Sequence, residues 1–524
     1  MFNKIRLFSI YVLLIFFSAC AQMVAPSGGK KDVIPPVLNA VYPPNKSINF
    51  TNKKIVFSFN ENIQLNKANE QIVISPPLNK SPDVLVNGKT VTIKFGEDFL
   101  PNTTYTVNFN DAIGDNTENN KIHGLQYVFS TGETIDSNVI KGKILNAFTN
   151  KPEKGISVGL YNTDTFNDSI IYKEKPIYIG KTSENGDFII ENLPTLNYNV
   201  IAFNDANQNL KYDKLEHIAY LNKSVSSADT NAFLLMHLFT PNLYPINHII
   251  DTFCAAPQKF NFVVYKPENI EIKSISKNSY TNYISGNSNI DTFQVFVENP
   301  DSNTSFSLTI NNLQSNFNLR NYSTHNIQKL NTTYTKRLEL NDTFIVKFNN
   351  PIVTLDTSKI ELYKDTIEIP IKYLHFTPFS IKVFYPWDEK TNYSIKIKDS
   401  ACKDVFNQWN DSITNKFTTN SLADYGNLQL HVQVKKKGKY ILQLLTNDEK
   451  NIVKSFVINK NQDIEITNLL PATYTIKYIT DENNNGKWDN GNYNEKIQPE
   501  KVGYYTEPIV IRAYWDLEQS IIIE

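Results

Sequence analysis

Leu-Gln-Leu-His-Val-Gln-Val, residues 428–434, sets an apolar side chain at every second position with a polar one in between. Successive side chains of an extended strand point to opposite faces, so a period of two marks a strand with one buried and one wetted face. The pattern recurs along the chain. Ile55, Phe57 and Phe59 share a face, and Val91, Ile93 and Phe95 alternate with Thr92 and Lys94. Tyr105, Val107 and Phe109 alternate with Thr106 and Asn108, as do Tyr393, Ile395 and Ile397 with Ser394 and Lys396. Half-wetted strands of this kind build antiparallel sheets. After the first 20 residues there is no sustained apolar stripe at i, i+3, i+4 and i+7, so the pattern predicts an all-β chain of sandwiches.

The bulk composition agrees. At 524 residues the chain is too long for one core and should divide into several domains. Its 41% apolar and 20% charged residues are those of a folded protein, and 28 Tyr and 32 Phe favour strands. A formal net charge of -1 argues against a nucleic-acid partner, which calls for a basic face. The three cysteines, Cys20, Cys254 and Cys402, cannot frame a disulfide scaffold. Cys254 and Cys402 are read as two buried thiols, with a bridge between them as the alternative.

Lys4 and Arg6 precede an apolar run, residues 7–17, and Ser18-Ala19-Cys20 follows. The run is shorter than the roughly 20 residues a membrane span requires, and it suits a signal peptide. The small-small-Cys ending resembles the lipobox of bacterial lipoproteins, which implies that Cys20 is lipidated and becomes the mature N-terminus. Phe17 departs from the usual leucine, and an ordinary signal peptide cut near Ala19 or Ala21 is the alternative. Membrane attachment would then run through the N-terminal lipid. Ala21, rather than Asp, resembles lipoproteins sent to the outer membrane, on either face. Pro26, Gly28, Gly29 and the pair Lys30-Lys31 read as a flexible tether.

The chain also repeats itself. Residues 192–213 (NLPTLNYNVIAFNDANQNLKYD) align without gaps on residues 468–489 (NLLPATYTIKYITDENNNGKWD). Shared positions include Tyr198/Tyr474, Asp205/Asp481, Asn207/Asn483, Asn209/Asn485, Lys211/Lys487 and Asp213/Asp489, polar as well as apolar. Upstream, KIVFSFNEN at 54–62 has a weaker counterpart in FIVKFNNP at 344–351. The resulting expectation is a signal peptide at 1–19, a tether at 20–32, and five β domains in an elongated arrangement at 33–133, 138–238, 240–330, 331–420 and 425–524.

Two of these domains carry family marks. Asp32-Val-Ile-Pro-Pro36, the strand 55–59 followed by Glu61, and the run from Tyr105 to Asp111 through Gly114-Asp-Asn116 to Tyr127-Val-Phe-Ser-Thr131 resemble the bacterial Ig-like domain named after the S-layer protein SbsA. Residues 331–420 follow that pattern without the Pro-Pro opening and with Asn350 in place of Glu61. Ile140-Lys-Gly-Lys-Ile144, Gly155-Ile-Ser-Val158, Thr182-Ser-Glu-Asn-Gly-Asp-Phe188 and Asn192-Leu-Pro194 are similar to the transthyretin-like sandwich called the carboxypeptidase regulatory-like domain. Residues 425–524 keep the second half of that pattern. Both resemblances imply spacer, stalk or binding modules without catalytic residues, and fold analogy alone does not deliver a function.

The best chemical constellation is the repeated loop. Asp481, Asn483, Asn485 and Asp489 stand at positions 1, 3, 5 and 9 of a calcium-type loop, with Gly486 at the sharp turn. Asn492 occupies position 12, leaving Glu495 or water to complete the shell. Asp205, Asn207, Asn209 and Asp213 hold the same places in the first copy, where Glu216 stands at position 12 and Leu210 replaces the glycine. Weak Ca2+ binding is the favoured reading, and an Asn/Asp-rich turn capping its own backbone is the alternative. The seven histidines lack metal-ligand spacing, and no nucleophile elbow, P-loop or zinc helix is present. Lys435 to Lys437 read as a solvated hairpin tip. Trp387, Trp409, Trp488 and Trp515 read as packing residues, with a sugar platform as the alternative.

The sequence therefore points to a non-enzymatic, lipid-anchored envelope or surface protein with an unknown protein or glycan ligand. A carbohydrate-binding or nutrient-uptake lipoprotein is the first alternative. A hydrolase hidden in residues 240–330 is the second.

Overall fold

The computed structural model describes residues 31–241, 248–256, 258–265, 271–274, 279–287, 290–298, 305–310, 313–318, 330–334, 336–339 and 342–523. Cys20, the leader before it and most of the tether lie outside them. The described chain is almost entirely β-strand. Its helices are single turns such as Ala68–Gln71 and Ile170–Lys173.

Strands pair within five consecutive stretches. In the first, Leu38–Tyr42, Lys54–Phe59, Thr90–Lys94 and Asp83–Asn87 are neighbours in that order, and Val73–Ser75, Thr104–Asn108 and Gln126–Ser130 make a second sheet. The period of two decides which faces meet. Ile55, Phe57 and Phe59 are buried while Lys54 is exposed, and the inward faces of both sheets form one core. Phe57 meets the Phe109 ring edge-on with 4.9 Å between centroids, and Tyr105 stacks on Phe129 at 5.2 Å. Aromatic pairs in such geometry add about 0.5–1.5 kcal/mol each beyond their buried area.

The fourth stretch repeats this plan. Thr332–Tyr334, Phe344–Phe348, Ser380–Phe384 and Tyr373–Thr377 follow the same neighbour order, and Ile413–Thr419, Asn392–Ile397 and Ile360–Lys364 reproduce the second sheet. The small hydrogen bonds repeat too. The Tyr105 hydroxyl accepts from the Leu100 N–H at 2.8 Å, and the Tyr393 hydroxyl accepts from the Asp388 N–H at 3.0 Å. Thr131 Oγ1 accepts from Thr103 N at 2.9 Å, and Thr419 Oγ1 accepts from Thr391 N at 3.0 Å. Asn350, standing where the first copy has Glu61, is buried and donates to Asp404 at 2.8 Å.

The second and fifth stretches share another plan. Asp187–Leu193, Asn138–Asn146 and Phe233–Leu238 correspond in order to Gln462–Leu469, Gly426–Val434 and Asp516–Ile523. Tyr178–Lys181, Ser157–Asn162, Asn197–Phe203 and Ile218–Tyr220 correspond to Ile452–Ile458, Lys439–Thr446, Ala472–Asp481 and Val502–Tyr504. The fifth stretch thus has the whole strand order of the second, although only the latter half of the sequence pattern is legible in it. Strand order depends on hydrophobic alternation and turn placement, which survive substitution of the individual residues. The middle stretch pairs His248–Ala256, Lys259–Tyr265, Ile290–Val297 and Ser279–Asn287 in one sheet and Glu271–Ser274, Ser305–Ile310 and Leu313–Asn318 in another.

The chain divides into two compact units. One holds residues up to 144 with 152–213 and 219–236, and the other holds 145–151, 214–218 and 237–524. Inside the first unit, side chains tie the second stretch to the first. The Ile179 N–H donates to Ser75 Oγ at 3.0 Å, and Asn192 Nδ2 donates to Thr106 Oγ1 at 3.0 Å. Lys175 and Lys181 reach the Leu78 and Glu70 carbonyls, each at 2.7 Å.

Candidate functional site

Each of the two Asx-rich loops leaves the end of a long strand, Asn197–Phe203 in one case and Ala472–Asp481 in the other. The two fold alike. Asp205 accepts from the N–H groups of Asn209 and Leu210 at 3.0 and 3.1 Å, and Asp481 accepts from those of Asn485 and Gly486 at 3.0 Å each. Asn207 Oδ1 takes the Asn209 N–H at 3.1 Å, and Asn483 Oδ1 takes the Asn485 N–H at 3.1 Å. The amide nitrogens of Asn207 and Asn209 both donate to Asp213, as those of Asn483 and Asn485 both donate to Asp489. Asp205, Asn207, Asn209 and Asp213 therefore come together, and so do Asp481, Asn483, Asn485 and Asp489. Their oxygens serve N–H donors of the loop itself.

The backbone matches as well. Gln208 and Leu210 have φ of 61° and 58°, against 65° for Asn484 and 77° for Gly486. A left-handed φ suits glycine and disfavours residues that carry a Cβ, so Leu210 sits in a conformation its twin meets at lower cost. Burial pushes the Asp205 carboxyl above the usual carboxylate range, against hydrogen bonds from Leu210 and Asn209 that pull it down.

Position 12 differs between the copies. Glu216 is buried at 8% exposure, whereas the carboxylate that reaches the second loop is Glu500. Glu500 accepts from the N–H groups of Glu482 and Asp489 at 2.8 and 3.0 Å, and its carbonyl takes the Trp488 indole N–H at 2.9 Å. Sequence reasoning missed it because it lies 11 residues beyond Asp489 and is delivered by the return of the chain. Within the second unit, Phe148 packs edge-on to Trp488 at 4.9 Å and covers Lys477, whose ammonium lies 3.2 Å from the ring centroid. Burial lowers the Lys477 amine from 10.5 to about 8, with Glu449 opposing.

His123 pairs with Asp111 at 2.7 Å, and His431 pairs with Asp463 and Glu518 at 2.7 and 2.8 Å. Among the described residues no group of three or more His, Cys, Asp and Glu side chains is placed to hold a metal ion. No helix among them is long and apolar enough to cross a membrane. Cys402 is a buried free thiol, pushed up to about 12 by burial, and the Cys254 side chain lies outside the described residues. Lys435 to Lys437 stand exposed, but on the connection between Gly426–Val434 and Lys439–Thr446, which belong to different sheets, so they are not the tip of a hairpin. Trp387 is buried and donates to the Asp342 carbonyl at 2.8 Å, whereas Trp515 is 58% exposed.

The first unit contains two adjoining recesses beside the first loop. A polar one of about 560 Å³ has His123, Asp111, Lys154 and Asn185 among its walls. A more apolar one of about 370 Å³ is floored by Ile74, Leu78 and Ile179. Lys181 and Asp205 border both.

No curated protein gives a significant match to the chain. Among solved structures, BcpA, the major pilin subunit of Bacillus cereus, is 10% identical, with 74% of this chain and 99% of that one covered at a TM-score of 0.15. SGBP-B of the Bacteroides ovatus mixed-linkage glucan utilization locus, solved with a mixed-linkage heptasaccharide, is 10% identical over 83% of this chain and 100% of that one at a TM-score of 0.17. The Bacillus anthracis TIE protein is 11% identical over 95% of this chain and 76% of that one at 0.14. The family comparison is more definite: residues 32–131 match the bacterial Ig-like domain, and they fold as the first two-sheet sandwich described above.

Proposed function

We propose that the chain is a non-catalytic, lipid-anchored envelope protein whose β-sandwiches serve as a structural or ligand-holding scaffold at the outer membrane. The observation that carries this reading is the duplicated architecture. Each of two sandwich plans occurs twice with the same strand order, and the polar side chains of the repeated loops bond to their own backbone. Groups committed to turn closure in both copies hold a shape and have no spare proton to trade. The five sandwiches are taken as 33–133, 138–238, 240–330, 331–420 and 425–524, boundaries that limited proteolysis between them would test.

Anchoring through Cys20 is tested by growing cells with an alkyne-tagged fatty acid. The parent should carry the label in the membrane fraction, and Cys20→Ala should lose it. An unlabelled parent in the soluble fraction ends the anchoring reading. Protease shaving of intact cells, followed by blotting for the C-terminal sandwich, reports the membrane face. Degradation places the chain outside, and protection places it in the periplasm.

The two loops are proposed as weak Ca2+ sites, in the ~10⁻⁴–10⁻³ M range of extracellular modules. Asp205, Asn207, Asn209 and Asp213 would serve the first, and Asp481, Asn483, Asn485 and Asp489 the second. Binding has to exchange the internal N–H donors for the cation, which limits its strength. A glycan ligand has one observation in its favour: Tyr514 and Trp515 are adjacent and 86% and 58% exposed. Binding on a glycan array that Trp515→Ala abolishes would support it, and a blank array would remove it.

A further inference from the structure

We propose that the recess in the first unit, lined by Ile74, Ile179 and Leu210 on its apolar side and by Lys181, Lys175, Glu70 and Asp205 on its polar side, binds small amphipathic carboxylates. Its volume of about 370 Å³ falls in the range of small-ligand sites, and it lies between two packed sandwiches, where such sites concentrate.

Three observations carry this assignment beyond shape. The first is the floor. Ile74 and Ile179 come from strands of different sandwiches, Val73–Ser75 and Tyr178–Lys181, which the bond from Ile179 N to Ser75 Oγ holds together. The recess is therefore set before any ligand arrives, so little ordering is required on binding.

The second is Lys181. An ammonium has three donors, and this one uses one on the Glu70 carbonyl at 2.7 Å. The Glu70 carboxylate pairs with Lys67 at 3.4 Å, and burial holds the Lys181 amine below the usual lysine range while Asp205 and Glu70 oppose. A partly desolvated cation with two donors to spare, beside an apolar floor, is matched by an anion that carries a hydrocarbon group. A carboxylate head would take the Lys181 donors, and the hydrocarbon would cover the floor.

The third is Leu210. The second loop has glycine at this position, with φ +77° and open space around a built Cβ. The first loop keeps a leucine at φ +58° despite the steric penalty, and its side chain forms a wall of the recess. A strained residue that lines a pocket points to the pocket as the reason for its side chain. The site is independent of where the chain is anchored, and failure of the anchoring test leaves it standing.

The test is isothermal titration of the full chain, without its lipid, with decanoate and with decan-1-ol, both below their aggregation limits. The parent should bind decanoate about tenfold more tightly than decan-1-ol, the gain expected of one charge-assisted hydrogen bond. Lys181→Met should bring the two affinities together. Leu210→Gly should weaken both by about tenfold without lowering the melting temperature, because glycine relieves the left-handed strain. A role for Leu210 in packing alone predicts the reverse: lower melting with affinity retained. The proposal is overturned if the parent binds neither probe, if it binds both equally, or if Leu210→Gly keeps full decanoate affinity.

Discussion

Replacing Lys477 with methionine should make the protein more stable at neutral pH and remove that advantage in alkali. Lys477 is 3% exposed, and burial lowers its amine from 10.5 to about 8. At 1.36 kcal/mol per tenfold change in proton affinity, the buried ammonium costs about 3 kcal/mol at pH 7 relative to the unfolded chain. The Phe148 ring lies 3.2 Å from the ammonium, and the shift is the net effect on the charged form. Methionine keeps the length and apolar contact of the side chain, so Lys477→Met should gain about 2–3 kcal/mol at pH 7. The sign of the pH dependence follows from the protons bound. Between about pH 8 and 10.5 the unfolded chain holds a proton on Lys477 that the folded chain has lost. The parent therefore gains stability across that window, and the methionine variant does not. Scanning calorimetry of the full chain at pH 7 and pH 10 reads this directly, at about 4–8 °C per kcal/mol for a sandwich of 60–100 residues. The affected transition should move up in the variant at pH 7 and coincide with the parent's near pH 10. A variant that melts lower at pH 7, or a gap of equal size at both pH values, would refute the reasoning.

Three further outcomes are expected. His431 is held above its ordinary pKa by Asp463 and Glu518, so its stabilisation is complete below about pH 6.5 and is lost as pH rises through the folded value. His431→Gln should thus lower the melting temperature at pH 5.5 and match the parent at pH 9; a constant gap would exclude the ion pairs as its source. Gly186 has φ +74°, and a Cβ there would stand 2.5 Å from the Ile144 carbonyl oxygen. Gly186→Ala should destabilise the first unit by about 2–4 kcal/mol in urea unfolding, and a neutral result would mean that the turn rearranges freely. Millimolar calcium should raise the melting temperature of the parent, and Asp481→Asn should reduce the rise; identical curves in calcium and EDTA would end the calcium proposal.

The amino-acid order by itself determined the fold class. In Lys54–Phe59 and Gly426–Val434 alternation alone says which side chains face inward, because a strand offers two faces and water accepts only one of these two sets. Pattern recognition also placed the Ig-like opening and the loop repeat, since Asp205 and Asp481 act on N–H groups within five residues, a local geometry that spacing encodes. The strand order common to the second and fifth stretches was only half legible, because residues that merely fill a core can change without changing the plan.

What the tertiary structure alone decided lies at longer range. Glu500 closes the second loop from outside its spacing, and Phe148 covers Lys477 from more than 300 residues away in the chain. Ile74 and Ile179 make one floor because two sandwiches pack side by side. No window of sequence holds such pairs, since their proximity comes from the packing of whole sheets, whose energy is spread over many apolar contacts and assigned to no single motif.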